Sequence, residues 1–272
     1  MWSTTTGTSL KKGENMYLRP VHAEHDIPTL RAFIRANPLG VLTTAIDAPS
    51  FPFLQSSHIP WVLDVPEDAD EEHLGTLRGH MARANPQVKA MIAELTSQSS
   101  GAGASTRTLS RDVLVLFTAP EHHYVTPKFY TETKPATGKV VPTWDYAAVQ
   151  VYGRATVHYA VNAETDAFLS RSLRDLSHLS ETEIMGFERP WSVEDAPESY
   201  IALLKKAIVG VEVEITDIGG KWKMSQELCE GDREGVVAGF KAMGSEQGKC
   251  IAEMVQERGE LAARRKKGVG SS

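Results

Sequence analysis

The chain has 272 residues, of which 41% are apolar and 24% are charged, and its formal net charge at pH 7 is −6. These values are typical of a globular protein with a sizeable core, and the acidic balance excludes a general electrostatic attraction to nucleic acid. No apolar run reaches the roughly 20 residues that a membrane span requires. We therefore predict a cytoplasmic protein, with the nucleus as the alternative location.

The two cysteines, Cys229 and Cys250, do not form a CxxC pair. This usage predicts neither a disulfide framework nor a zinc site, so we expect a reducing compartment. The chain also contains nine histidines, but none of them stands with carboxylates at the spacing of metal ligands. We predict no metal site.

Composition divides the chain into four predicted segments. Residues 1–15 are polar and rich in Thr and Gly, which predicts a disordered tail, and residues 266–272 are predicted to form a second one. Between these tails we predict a main domain over residues 16–228 and a helical extension over residues 229–265.

The first predicted elements are a helix and two strands. Asp26 is the predicted N-cap of a helix with its apolar residues on one face, and Asn37 ends that helix. Strands are predicted over residues 40–46 and over about residues 52–63. The acidic segment at residues 64–72 is predicted to be a solvated connection to the next strand.

The segment at residues 73–86, HLGTLRGHMARANP, is the most informative in the chain. Its apolar residues predict a strand that breaks at Gly79, and its final proline is typical of the first turn of a helix. A turn that leads into a helix offers unpaired backbone N–H groups and a favourable dipole. We therefore predict an anion site formed by His80, Arg83 and Asn85. The alternative is a solvated Arg83 beside an Asn85 that only caps the helix.

Apolar residues at helical spacing continue after this segment, and a low-complexity loop is predicted over residues 97–108. Continuous apolar runs predict strands over residues 112–118 and 123–126. Over residues 146–159 apolar and polar side chains alternate. This alternation predicts one long strand with one buried face.

The last part of the main domain is predicted to contain two helices and a hairpin. The helices cover residues 162–179 and 197–206. The hairpin joins strands at residues 208–218 and 221–225 across Gly219 and its neighbouring glycine.

Two further helices are predicted after Asp232. Six or more strands with mostly antiparallel connections favour an α+β protein with an antiparallel β-barrel over a parallel doubly wound sheet. The absence of a G-x-G-x-x-G or Walker-type loop from the sequence agrees with this choice.

Four segments together resemble one family. These are residues 73–86, FTAPEHHYVTPKFY at 117–130, VPTWDYAAVQVYGRA at 141–155 and GKWKMSQELCEGDREGVVAGF at 220–240. In order and spacing they resemble the PaiB family of FMN-binding proteins, which are described as negative transcriptional regulators. The resemblance covers about residues 16–243. It implies the split β-barrel of flavin-reductase-like and pyridoxamine-phosphate-oxidase-like proteins, and a homodimer with FMN at the subunit interface.

The resemblance also implies which residues bind the cofactor. Arg83 is predicted to hold the flavin phosphate, because a guanidinium offers a planar fork of donors at constant charge. Ser56 and its neighbours could instead form a polar patch on an edge strand that does not bind the cofactor. The aromatic residues could instead only pack in the core. No side chain is identified as an acid–base catalyst. The predicted cofactor-binding residues are Ser56, Ser57, His58, Arg78, His80, Met81, Arg83, Asn85, Lys128, Tyr130, Thr143, Trp144, Tyr146 and Gln226.

The chain departs from the family pattern at Asp145, where asparagine is more usual. If this loop lines the flavin, the substitution brings a carboxyl group close to the cofactor.

The function that the resemblance implies is that of a flavin-dependent oxidoreductase acting on a small-molecule redox substrate, or of a flavin-linked regulator. One alternative is a negative transcriptional regulator in which FMN is a sensor or structural ligand; another is a haem-binding or haem-degrading relative. No helix-turn-helix pattern with a basic recognition helix is visible, so strong direct DNA binding is not expected. The four cations at residues 264–267 are either a nucleic-acid or nuclear-import contact or a solvated chain end.

Overall fold

The computed structural model describes residues 16–99 and 107–269. Within these residues the strands are Ala23–Glu24 (β1), Leu39–Ala45 (β2), Leu54–Pro60 (β3), Val62–Asp64 (β4), Thr76–Ala82 (β5), Val113–Thr118 (β6), His123–Val125 (β7), Thr143–His158 (β8) and Ile208–Lys223 (β9). The α-helices are Ile27–Ala36 (α1), Pro86–Ser99 (α2), Thr133–Thr137 (α3), Ala163–His178 (α4), Glu198–Lys206 (α5), Glu230–Ala242 (α6) and Glu246–Val269 (α7). No helix in the described part of the chain combines the length and apolarity needed to cross a bilayer.

The strands form one curled sheet in the order β3-β2-β6-β8-β9-β5-β4, with β1 added to β9 and β7 added to β8. The pairs β2–β3, β2–β6 and β5–β9 are antiparallel. Strands β3 and β5 stand far apart in this order and nevertheless contact each other. The predicted fold class, α+β with an antiparallel split β-barrel and peripheral helices, is confirmed.

Contacts divide the chain into two compact units, each built from segments that are distant in sequence. The terminal unit comprises the described residues of 16–25, 118–148 and 219–269, and the central unit comprises those of 26–117 and 149–218. The predicted domain boundaries at residues 228 and 265 stay predictions. Helix α7 continues to Val269, four residues beyond the predicted end of the helical extension. The predicted tail at residues 1–15 lies outside the described residues, as does most of the predicted loop at residues 97–108.

The core of the central unit is built from alternate residues of its strands. Leu42 on β2, Val115 on β6 and Val211 on β9 have no exposed surface, and Leu42 lies opposite Val115 in the ladder. Helix α2 adds Val88 and Met91, which are also fully buried. Each such side chain stabilises the fold by roughly 1.5–3 kcal/mol. The strands predicted at β2 and β6 and the helix predicted after residue 86 are thus present, and these apolar residues are buried.

The core of the terminal unit lies between α6, α7 and the ends of β8 and β9. Phe240, Ile251 and Val255 on the two helices are fully buried. The ring of Phe129 meets that of Phe240 edge-on at a centroid distance of 5.5 Å. The two predicted C-terminal helices are therefore docked elements that bury apolar surface.

The predicted break of the strand at Gly79 is wrong. Strand β5 passes through Gly79, which lies opposite Val211 in the β5–β9 ladder. A Cβ at this position would lie 3.1 Å from both the Pro60 carbonyl oxygen and the indole of Trp61. The glycine thus lies in a tightly packed strand rather than in a turn. Trp61 itself separates β3 from β4, which divides the single strand predicted over residues 52–63.

The predicted hairpin across Gly219 and Gly220 is also wrong. Strand β9 runs without interruption through both glycines, and its last part pairs with β1. The tight two-residue hairpin turns need positive φ, and neither glycine has it. A Cβ on Gly219 would lie 2.5 Å from the methyl group of Met16. That methyl group is the end of a flexible side chain and can shift, so strand pairing rather than lack of space places these glycines: Gly220 lies opposite Glu24 of β1.

Candidate functional site

The junction between β5 and α2 in the central unit contains the predicted anion site. The side-chain oxygen of Asn85 accepts a hydrogen bond from the Gln87 N–H at 2.8 Å, so Asn85 caps α2. Its amide nitrogen also donates to the Ser57 hydroxyl at 3.0 Å. The structure therefore brings two of the predicted residues, Ser57 and Asn85, together at the start of the helix.

Arg83 is held at the same junction by main-chain groups. Its half-buried guanidinium donates to the Tyr159 carbonyl at 2.9 Å and reaches the Ile208 carbonyl at 3.4 Å. Its own backbone N–H donates to the Ala207 carbonyl at 2.8 Å. Among the described residues no carboxylate forms an ion pair with Arg83, so its charge is not neutralised locally. A guanidinium has five N–H donors, and these contacts leave some of them for an anion.

The side chains of β3 alternate between its two faces, so the three residues predicted from this strand do not all lie on the same face. Ser56 and His58 are exposed and lie on the opposite face from Ser57. The Ser56 hydroxyl is 2.8 Å from that of Thr43, its partner on β2. Because the side-chain period of a strand is two, three consecutive residues cannot all face the same ligand.

Arg78 on β5 lies in an ion-pair network. Its guanidinium, 2% exposed, donates to Asp175 at 2.6 Å and pairs bidentately with Asp64. Burial opposes its charge, but the hydrogen bonds that it donates to Asp64 and Asp175 outweigh burial and raise the pKa of Arg78 above its ordinary value. Arg171 also approaches both carboxylates. Two carboxylates already neutralise this predicted cofactor-binding residue.

His80 shares the Arg78 face of β5, whereas Met81 points to the other face and is buried. Burial lowers the pKa of His80, so the ring is neutral at pH 7. Its Nδ1 atom is buried and has no hydrogen-bond partner among the described residues. His80 thus offers one unsatisfied polar atom but no positive charge.

The predicted residues on β8 belong to the terminal unit. Lys223 donates to the hydroxyl of Thr143 and, at 3.0 Å, to the carbonyl of Trp144. The indole of Trp144 is 54% exposed and meets the ring of Tyr124 edge-on at 6.1 Å. The ring of Tyr146 lies under the ammonium group of Lys221 at 5.4 Å. These contacts hold the start of β8 and leave one large aromatic face open to solvent.

The remaining predicted residues of the terminal unit differ in exposure. Lys128 is exposed in the short 3₁₀ turn Pro127–Phe129, while Tyr130 is buried. Gln226 is buried, and its amide is hydrogen-bonded to main-chain groups of Val21, Trp222 and Met224. Gln226 therefore has a clear structural role in this unit.

Asp145 is fully buried beside Ser225. The Ser225 hydroxyl lies 2.9 Å and 3.1 Å from the two carboxylate oxygens. Ser225 has φ of 54°, a conformation that non-glycine residues rarely adopt. Burial raises the pKa of Asp145 to about 7, although the Ser225 hydrogen bond and the charge of Lys223 act in the opposite direction. Asp145 is therefore a buried group that titrates near neutrality.

We expect Asp145→Asn to remove a pH dependence of stability. An unfolded aspartate ionises near pH 4, whereas folded Asp145 keeps its proton up to about pH 7. The folded state therefore binds more protons between these values, and the free energy of unfolding falls as pH rises from about 4 to 7, by up to about 4 kcal/mol. Urea unfolding at pH 5 and pH 8 measures this change.

The control for this experiment is Asp112→Asn, which changes an exposed carboxylate just before β6. This variant should keep the wild-type difference between pH 5 and pH 8, and Asp145→Asn should reduce it. Equal pH dependence in wild type and Asp145→Asn would show that the buried carboxyl does not titrate in this range.

The described residues contain no group of three or more His, Cys, Asp or Glu side chains that could hold a metal ion.

Comparison with known proteins gives one family match and several relatives. Residues 16–217 match the model of the family described as "Putative FMN-binding domain". An uncharacterized protein of Emericella nidulans is 57% identical over 248 residues, which cover 90% of this chain and 98% of that protein. Protease synthase and sporulation protein PAI 2 of Bacillus subtilis is 24% identical over 226 residues, covering 83% and 89%.

Among solved structures, a flavocytochrome of Azotobacter vinelandii is similar with a TM-score of 0.44 and 13% identity, over 78% of this chain and 74% of that one. The family match covers well over half of the chain and includes the β5–α2 junction. The chain therefore belongs to the FMN-binding family of the PaiB type that its four motifs resemble.

Proposed function

We propose that this protein binds FMN and works as a flavin-dependent oxidoreductase. The observation that carries the proposal is Arg83: a half-buried guanidinium held on main-chain carbonyls, with no neutralising carboxylate among the described residues, beside the start of a 14-residue helix. A phosphate group is the ligand that such a site favours. The family model that residues 16–217 match carries the description "Putative FMN-binding domain", which supports the proposal.

The residues of the central unit fit a flavin phosphate. Arg83 supplies fixed positive charge, and the first turn of α2 supplies backbone N–H groups and the positive end of the helix dipole. Asn85 and Ser57 are hydrogen-bonded to each other and orient the polar rim of this site. In this proposal Ser56, His58 and Arg78 do not touch the phosphate, because of the faces and ion pairs described above.

We propose separately, for the terminal unit by itself, that Trp144 and Tyr146 offer aromatic contacts to a flavin ring. The exposed indole offers a large planar apolar face. Lys223 donates to the Trp144 carbonyl and so restrains the backbone that carries the indole. When bound, FMN would supply one- and two-electron transfer, while the protein orients the ring and excludes competing reactions.

A homodimer is part of the proposal. Its support is a set of exposed large apolar side chains on the segment around α5 in the central unit, namely Ile184, Met185, Phe187, Trp191, Tyr200, Leu203 and Leu204. An apolar surface of this kind is typical of a protein contact. Light scattering on the purified protein tests this part, and a monomer at micromolar concentration would contradict it.

An absorption spectrum of the purified protein tests cofactor binding directly. We expect bands near about 375 and 450 nm, which mark oxidised flavin. If the protein is colourless, titration with FMN followed by fluorescence quenching should still give saturable binding. A colourless protein that does not bind added FMN would contradict the proposal.

A further inference from the structure

A cavity of about 200 Å³ lies in the terminal unit. Helix α7 forms one wall with Arg258, Leu261 and Arg265, and the opposite side includes His22 and Trp222. Pockets for drug-sized ligands occupy roughly 300–1,000 Å³. The cavity is therefore too small for a flavin but large enough for a small organic molecule.

The cavity wall carries surplus positive charge. Arg258 donates to Glu24 at 2.7 Å and Arg265 donates to the same carboxylate at 3.2 Å. Glu24 is only 4% exposed, so two guanidinium groups share one buried carboxylate. Farther in, the Glu227 carboxylate faces Lys223 at 3.8 Å. One positive charge at the wall is therefore left without a balancing carboxylate among these groups.

The wall also contains a buried polar atom that needs a partner. The His22 side chain is 1% exposed, and its Nε2 lies 3.2 Å from the Glu227 carboxylate. Its Nδ1 has no hydrogen-bond partner within the part of the chain that the structure describes. Burial lowers the pKa of His22, against the effect of Glu227, so the ring is neutral at pH 7. A buried polar atom left unpaired costs about 1–3 kcal/mol, which a ligand in the cavity would recover.

The rest of the wall is apolar and aromatic. The Arg258 guanidinium lies 4.2 Å from the centre of the Trp222 ring. This stacking fixes the direction of the guanidinium, which remains able to form further hydrogen bonds. Leu261 adds aliphatic surface on the α7 side.

We propose that this cavity is a second binding site, separate from the flavin site, for a small organic carboxylate with an apolar body. The carboxylate would pair with Arg265 and Arg258, the apolar body would contact Trp222 and Leu261, and a further polar group would reach His22. Two guanidinium groups favour a planar carboxylate because each can bind it bidentately.

Calorimetric titration of the full-length protein with benzoate, hexanoate and succinate tests the proposal, and benzamide serves as a neutral analogue of benzoate. We expect at least one carboxylate to bind, and benzoate to bind at least about tenfold more tightly than benzamide. If none of the three carboxylates binds with a Kd below about 10 mM, the proposal is wrong. Equal binding of benzoate and benzamide would also overturn it, since charge would then play no part.

Two variants locate the site. Arg265→Ala removes a half-exposed guanidinium, and Glu24 keeps its bond to Arg258, so the fold should persist; carboxylate binding should weaken at least about tenfold. Leu261→Phe fills the cavity without changing charge and should also weaken binding. The matched control is Arg264→Ala, which removes the same charge from the neighbouring exposed position of α7 and should bind as wild type does.

Flavin content separates this site from the proposed FMN site. Arg265→Ala should keep its flavin, and Arg83→Ala should keep its carboxylate binding. Loss of flavin in Arg265→Ala would assign the cavity to the flavin site and overturn the proposal. Equal carboxylate affinity in Arg265→Ala and Arg264→Ala would overturn it as well.

Discussion

Replacing Arg83 by alanine is expected to weaken FMN binding by about tenfold to a hundredfold while the chain stays folded. A hydrogen bond to a charged group contributes about 1.5–3 kcal/mol, and this guanidinium forms no ion pair among the described residues. The carbonyls of Tyr159 and Ile208 lose a donor, but the site is half-exposed and water can replace it. Fluorescence titration with FMN gives the affinity.

Two further variants make this test specific. Arg83→Lys keeps the charge but loses the planar fork, so its affinity should fall between those of wild type and Arg83→Ala. Arg154→Ala removes an exposed arginine of β8 in the same unit and should leave FMN binding unchanged. Wild-type affinity in Arg83→Ala would show that the phosphate lies elsewhere.

Replacing Arg78 by alanine is expected to destabilise the protein by about 3 kcal/mol or more. Breaking a buried ion pair by removing one partner costs about 3–5 kcal/mol, and the lower value applies because Asp64 and Asp175 are partly exposed. Without Arg78 these two carboxylates repel each other, with only Arg171 nearby. Urea unfolding at pH 7 measures the loss.

The same variant separates the two roles open to Arg78. If the role of Arg78 is only to form ion pairs with Asp64 and Asp175, the folded fraction of Arg78→Ala should bind FMN as wild type does. If it holds the cofactor, as the motif predicts, affinity should fall as far as in Arg83→Ala. Arg154→Ala again serves as the control, and its free energy of unfolding should change by less than about 0.5 kcal/mol.

Local patterns predicted most of the elements correctly. Asp26 caps α1, as its position before an apolar helical pattern indicates, and accepts a hydrogen bond from the Thr29 N–H at 2.9 Å. The alternation along residues 146–159 appears as the buried face of β8. Such signals are reliable because capping and periodicity depend on residues that are close in sequence.

The errors at Gly79 and Gly219 share one cause. A glycine in a sequence is compatible both with a turn and with close packing inside a strand. At both positions the decision comes from a strand distant in sequence: β5 pairs with β9 at Gly79, and the end of β9 pairs with β1. No local pattern contains that information.

The candidate site shows the same division. The motif at residues 73–86 identified the helix start and the cap at Asn85, both of which are local. It could not separate Arg83 from Arg78, because the difference lies in Asp175, almost a hundred residues later in the chain. The surplus charge near Arg265 could not be predicted from the sequence either, because Glu24, the carboxylate that pairs with Arg265, lies near the other end of the chain.

The sequence by itself therefore determined the family, the α+β class and the position of most helices and strands, because these follow from motifs and short-range periodicity. Only the tertiary structure decided which polar residues share a face, which arginines are already neutralised and which glycines are packed. Those properties depend on contacts between segments far apart in the chain, where burial and nearby charge set the free energy of each group.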